Sequence, residues 1–258
     1  MISVKDKIVL ITGASSGIGA SCARVFAQAG ANLILTARRL DRLEALAKEL
    51  RRKFGISVYP VQLDVRDRNR VNSVFESLPS EWTDIEILIN NAGLSRGMEK
   101  LYEGNIEDWE EMIDANLKGL LYVSRAIVPG FVSRGKGHIV NIGSIAGRHA
   151  YPGGNVYCAS KAGVRAISQG LKLDLLGTPI RVSEIDPGLV ETEFSVVRFH
   201  GDEARAKSVY DGLTPLTADD VADTVLFCTT RPIHVNISEI LLVPTDQATA
   251  TQVSRNPS

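Results

Sequence analysis

The chain has little cysteine, no long apolar run and almost no net charge, and each shortage excludes a class of protein. Its 258 residues hold three cysteines, Cys22, Cys158 and Cys228, far apart and without a Cys-x-x-Cys spacing. That excludes a disulfide framework and points to reduced thiols in a cytoplasmic setting. The four histidines, His138, His149, His200 and His234, lack the spacing of a metal site, so no metal is expected. The apolar run Ile8–Ile11 is too short for a signal-peptide core or a membrane span. Net charge is −1, and basic runs reach no further than triplets such as Arg51-Arg52-Lys53. A nucleic-acid surface is therefore not expected.

What is present is a regular alternation. Short β-branched runs at 7–12, 32–37, 57–63, 85–90, 137–142, 180–185 and 239–243 read as strands. Their nearly continuous apolar character suits strands buried on both faces. Helical patterns lie between them. Leu40, Leu43, Leu46, Ala47 and Leu50 form one apolar stripe. Thr217 followed by Asp220 is a box-like helix start. The alternation predicts an α/β fold: a parallel sheet with helices on both faces, in one domain over residues 1–258. Residues 190–215 interrupt the rhythm after the sixth strand, with Phe194, Val196, Val197 and Phe199 set among charges. A long segment at that end of a strand is expected to cover a substrate. The polar tail 246–258 is expected either to be disordered or to dock on a partner subunit.

The turn after the first strand reads Thr12-Gly13-Ala14-Ser15-Ser16-Gly17-Ile18-Gly19. Glycines there permit a tight turn and close approach to a phosphate, and the following helix turns its N-terminal dipole toward that phosphate. Gly13, Ser15, Ser16, Gly17, Ile18 and Gly19 are thus cofactor candidates. At the end of the second strand an NAD enzyme would place an Asp or Glu on the ribose. Here Arg38 and Arg39 stand instead. Guanidinium groups pair a 2′-phosphate, so NADP is expected, with Arg38 foremost. Asp64, beside Val65, ends the third strand, where it can accept from the adenine amine. Asn90, with Ala92 and Gly93, ends the fourth, where it can pack on the adenosine ribose.

Tyr157 and Lys161 stand four residues apart, thirteen residues or more after Ser144. Residues i and i+4 share one helix face. An ammonium beside a phenol favours phenolate and lowers its pKa, giving a proton donor useful near neutrality.

In this order and at these separations, Thr12–Gly19, Asn90–Gly93, Asn116, Ser144, Tyr157, Lys161 and Pro187-Gly188 resemble the short-chain dehydrogenase/reductase superfamily. The resemblance covers nearly the whole chain. It implies a doubly wound Rossmann sheet of about seven parallel strands, a nicotinamide cofactor, hydride transfer between carbonyl and alcohol, and a homotetramer or homodimer. It implies further that Tyr157 is the acid/base, that Ser144 holds the substrate oxygen, and that Lys161 lowers the phenol pKa and bonds the nicotinamide ribose. Asn116 is then part of a proton relay to Lys161, and Pro187, Gly188, Val190 and Thr192 meet the nicotinamide. The stretch Gly188–Ser195, with Val197-Arg198-Phe199 and the ending Val243-Pro244, resembles the branch of 3-hydroxy acid dehydrogenases that includes NADP-dependent serine and allo-threonine dehydrogenases. If this chain follows that branch, Arg198, or Arg148 just after Ser144, is expected to pair a substrate carboxylate. Relatives acting on neutral ketones, aldehydes or secondary alcohols are the alternative, and a cofactor-sensing protein without turnover is a third.

Overall fold

The structure, a computed structural model, describes residues 2–255. The elements run β1 (Ile8–Thr12), α1 (Gly17–Gln28), β2 (Asn32–Ala37), α2 (Leu40–Phe54), β3 (Val58–Gln62), α3 (Arg68–Glu76), β4 (Ile85–Asn90), α4 (Ile106–Ile113), α5 (Leu120–Arg134), β5 (His138–Ile142), α6 (Asn155–Asp174), β6 (Arg181–Pro187), α7 (Phe194–Arg198), α8 (Glu203–Ser208), α9 (Ala218–Thr229) and β7 (Glu239–Leu242). Seven parallel strands form one sheet in the order β3-β2-β1-β4-β5-β6-β7. The expected strands are all present, with ends moved by at most two residues.

Alternation along each strand feeds two cores. Val9 and Ile11 point to one side, where Phe26 of α1, Leu43 and Leu50 of α2 and Val225 of α9 cover them. Leu10, Ile34 and Leu88 point to the other, under Val71 of α3 and Val123 and Phe131 of α5. Strands sandwiched this way need apolar residues at consecutive positions, which is why they read as continuous runs. Pro60 lies in β3, an edge strand, where a missing N–H costs no ladder bond. The box at α9 forms as expected: Thr217 Oγ1 accepts from Asp220 N at 3.2 Å, and Asp220 Oδ2 accepts from Thr217 N at 2.7 Å.

Strand order reverses between β1 and β4, and this switch point opens a crevice at the carboxyl ends of the strands. Asn116 lies in a π-helical turn, Asp114–Gly119, between α4 and α5. Residues 246–255 of the tail fold back: Gln247 bridges Val253, and Ser254 N donates to Asp246 O at 2.7 Å. Residues 256–258 lie outside the described residues. Among the described residues no helix is long and apolar enough to cross a membrane.

Candidate active site

A cleft of about 710 Å³ follows the carboxyl edge of the sheet from the glycine turn to α7. At one end the chain makes a cradle. Gly13 and Gly17 take φ of 67° and 52°, a region that favours glycine. A Cβ on Gly13 would stand 2.9 Å from Ala92 Cα. Gly19 does not line the cleft. It lets α1 close on the turn, since a Cβ there would collide with Gly13 O. Ser16 is the N-cap of α1, and its hydroxyl makes no capping bond. It instead accepts from Arg39 Nη2 at 2.8 Å, while Ser15 Oγ accepts from Arg39 Nε at 3.3 Å. Arg39 also meets Glu193 at 3.0 Å, and Arg42 meets the other Glu193 oxygen at 2.7 Å. Arg38 is half exposed and only loosely paired, 3.6 Å from Glu111. A small-residue cradle at a helix N-terminus, with two arginines and no acid at the end of β2, fits the pyrophosphate and 2′-phosphate of NADP.

Asp64 and Val65 line the cleft, but Arg66 holds the Asp64 carboxylate, with Nη2 2.7 Å from Oδ2. Burial acts to raise the Asp64 pKa, and the bonds from Arg66 outweigh it and hold the carboxyl below its usual range. Glu111 gathers Arg38, Arg66 at 3.1 Å and Arg96 at 2.7 Å, and Arg96 Nη1 donates onward to Val197 O at 2.6 Å.

Asn90 departs from expectation. It is buried beneath the cleft, donating to Ser124 Oγ at 3.1 Å and Asn141 Oδ1 at 2.9 Å. Its side chain shares a strand face with Leu88 and does not line the cleft. Asn91 occupies the cleft wall instead and ties down the glycine turn, donating to Thr12 O at 2.9 Å. Ala92 and Gly93 line the cleft as expected, as do Ile18, Pro187, Gly188, Val190 and Thr192.

At the other end Ser144, Tyr157 and Lys161 converge, all buried and all facing the cleft. Burial pushes the Tyr157 phenol up to about 12, and Arg198 and the Ser144 hydroxyl oppose this only in part. Arg198 sits over the Tyr157 ring, 5.2 Å from its centre. Lys161 is buried on the same helix as Tyr157. Its Nζ donates to Ile142 O at 2.9 Å, and burial brings its pKa down to about 8 against the pull of Asp186 and Glu184. The shared helix face predicted from the spacing is real, but the flexible lysine stem ends on a carbonyl.

Asn116 stands behind the cleft wall. Its Oδ1 accepts from Leu94 N at 2.8 Å, and its Nδ2 donates to Leu94 O at 2.9 Å and Ser160 Oγ at 3.0 Å. The wide π turn presents this amide to both segments, a placement common at functional sites.

Of the two arginines expected near a substrate carboxylate, Arg148 is misplaced. Its Nε and Nη2 lie 2.6 Å from Asp186 and 2.6 Å from Glu239, away from the cleft. Two carboxylates already satisfy it, which rules out the predicted role. Arg198 lies in the cleft, donating to Ser95 Oγ and Tyr151 OH, each at 3.0 Å, with no carboxylate partner among the described residues. Sequence reasoning missed Tyr151 and Gln247. Gln247 lines the cleft from the tail and accepts from Leu189 N at 2.8 Å. No motif marks it; only its nearness to Pro244 at the end of the last strand hints at an ordered turn.

Known proteins resemble this chain over nearly its whole length. The NADP-dependent 3-hydroxy acid dehydrogenase of Schizosaccharomyces pombe is 48% identical over 99% of this chain and 99% of its own. Sulfoacetaldehyde reductase 2 of Chromohalobacter salexigens is 46% identical over 93% of this chain and 95% of its own. The closed form of a serine dehydrogenase complexed with NADP+ superposes with a TM-score of 0.90 at 48% identity, covering 97% of this chain and 100% of that one. The short chain dehydrogenase family model matches residues 7–202, and the chain belongs to that family.

Proposed function

We propose that this protein is an NADP-dependent oxidoreductase interconverting a small 3-hydroxy acid and its carbonyl counterpart. The observation that carries the reading is Arg198: a guanidinium inside the cleft, over the Tyr157 ring, with no carboxylate partner among the described residues. An anionic substrate group held there puts its hydroxyl-bearing carbon within reach of Ser144 and Tyr157.

In this reading the glycine turn and α1 hold the pyrophosphate, and Arg38, with Arg39 released from Ser15 and Ser16, holds the 2′-phosphate. Pro187, Gly188, Val190 and Thr192 flank the nicotinamide, which supplies or accepts the hydride when bound. Ser144 donates to the substrate oxygen and stabilises charge developing on it. Tyr157 gives that oxygen a proton on reduction and takes one on oxidation. The phenol alone is too weak an acid, with its pKa near 12. Lys161, which is protonated at neutral pH, must supply the field that brings it down. Asn116 braces Leu94 and Ser160 beside these groups. Residues 190–215 cover the substrate, and the tail from 246 closes the opposite rim. Cytoplasmic operation as a homotetramer or homodimer belongs to the same reading; exposed Leu121, Leu176 and Phe227 suit it.

The test is NADP reduction by purified protein with L-serine, 3-hydroxypropionate and 3-hydroxyisobutyrate against neutral secondary alcohols, with NAD in parallel. The acids should be preferred, with NADP over NAD. Turnover of neutral alcohols alone would retain the catalytic assignments and remove the carboxylate site, leaving the apolar wall of Phe194 and Val197 to select a neutral carbonyl.

A further inference from the structure

A polar row crosses the sheet beneath the catalytic strand ends. Asn90, Asn141 and Glu184 are register neighbours on β4, β5 and β6, and Glu239 follows on β7. Asn90 and Asn141 are joined to each other, and Asn141 also donates to Ser168 of α6 at 2.9 Å. Glu184 alone in the row has both side-chain oxygens unpartnered. It is fully buried, and the nearby Ser168 hydroxyl gives its proton to Val164 O at 2.8 Å, so no donor is fixed on either carboxyl oxygen. As an anion it would be an unpaired buried charge, which is costly. As a neutral acid it is itself the donor.

The acceptor is two residues along the same strand face. Asp186 is buried, accepting the Ser144 N–H at 3.1 Å on Oδ1 and Arg148 Nε at 2.6 Å on Oδ2. Both carboxyls close on Gly143. A Cβ there would stand 2.7 Å from Glu184 Oε1 and would collide with Asp186 Oδ1. The remaining charged groups around Glu184 are Lys161 of α6 and Glu239 of β7. Arg148 and Arg165 end on Asp186 and Glu239 instead. Two adjacent carboxyls in such a site do not both ionise. Burial and Asp186 together push Glu184 well above the usual carboxyl range.

We propose that Glu184 is a positioning residue that keeps a proton and donates it to Asp186, so that one shared negative charge fixes Ser144 and stands beneath Lys161. Glu184 touches no substrate. Loss of its proton puts two anions side by side, and their repulsion drives the Asp186 carboxylate off its partners, which releases the Ser144 segment.

The first test is infrared difference spectroscopy of the ligand-free protein. Wild type should show a protonated-carboxyl band at neutral pH that is lost on alkaline titration and absent from Glu184→Gln. A wild type without that band overturns the proposal. The second is kinetic. Glu184→Leu should lose kcat on the order of 100-fold, the scale of a misplaced reacting group, with KM little changed. Glu184→Gln keeps a donor and cannot ionise, so it should recover most of that loss and lack the alkaline fall of wild-type kcat. Equal loss in both variants, or a Glu184→Gln pH curve superimposing on wild type, overturns it. Should Glu184→Leu not fold, both Glu184→Gln measurements remain decisive. The kinetic arm rests on the oxidoreductase reading and the infrared arm needs no turnover, so failure of one is distinguishable from failure of the other.

Discussion

The two ends of the cleft handle charge in opposite ways. At the glycine turn Arg38, Arg39, Arg42 and Glu193 are all 41–53% exposed; Arg39 and Arg42 pair with Glu193, Arg39 also with hydroxyls, and Arg38 loosely with Glu111. At the other end Tyr157 and Lys161 are at most 8% exposed, and burial dominates both pKa values. An exposed ion pair contributes about 0–1 kcal/mol net, whereas leaving a buried charge without its partner costs about 3–5 kcal/mol. The exposed end can therefore exchange a carboxylate for a phosphate at little cost. The buried end cannot exchange partners cheaply, so its few groups must be set by the fold.

The largest expected effect tests the buried end. Tyr157→Phe should lower turnover by about 10²–10⁴-fold, the usual share of general acid–base catalysis, while a fluorescence titration shows NADPH affinity retained. Near-normal turnover would mean the proton comes from elsewhere. Next, Arg198→Ala should raise KM for 3-hydroxy acids by roughly 10- to 100-fold, as expected for loss of a charge-assisted pair, and leave neutral alcohols nearly unaffected. Equal loss on both substrate types would remove the carboxylate role. At the exposed end Arg38→Asp should weaken NADP by about tenfold and NAD little, since solvent screens a half-exposed pair. A loss as large as at Arg198 would break the contrast between the two ends.

The smallest effect is a pH dependence of stability in the ligand-free protein. Folded Lys161 loses its proton near pH 8, and the unfolded chain near 10.5. Between these values the unfolded state binds more protons, so stability rises with pH, by on the order of 1 kcal/mol after relaxation. Denaturant midpoints from pH 8 to 10 should show this rise in wild type and not in Lys161→Met.

Most of the fold was legible because it rests on local rules. Alternating burial explains the seven strands, and the glycine turn and the Ser144, Tyr157, Lys161 set depend on residue type at short spacing. What escaped was decided by distant partners. Arg148 stands close to Ser144 in sequence, but its carboxylates come 38 and 91 residues later. Asn90 and Asn91 are adjacent, yet strand alternation sends one under α5 and the end of the strand frees the other for the cleft. Gln247 finds Leu189 at a separation of 58 residues, which a polar tail does not announce. For Lys161, spacing fixes the helix face but not where four methylenes end.

Glu111 carries one more consequence. It pairs with Arg38 at the phosphate end and with Arg96, whose other arm holds the Val197 carbonyl of the substrate wall. Arg38 shares one Glu111 oxygen with Arg66, and Arg96 holds the other, so a single carboxylate joins the phosphate end to the substrate wall. Any coupling of the two ends through this carboxylate must be reciprocal: a substrate would tighten the cofactor by the same factor that the cofactor tightens the substrate. A double-mutant cycle over Arg38 and Arg96 would measure that coupling.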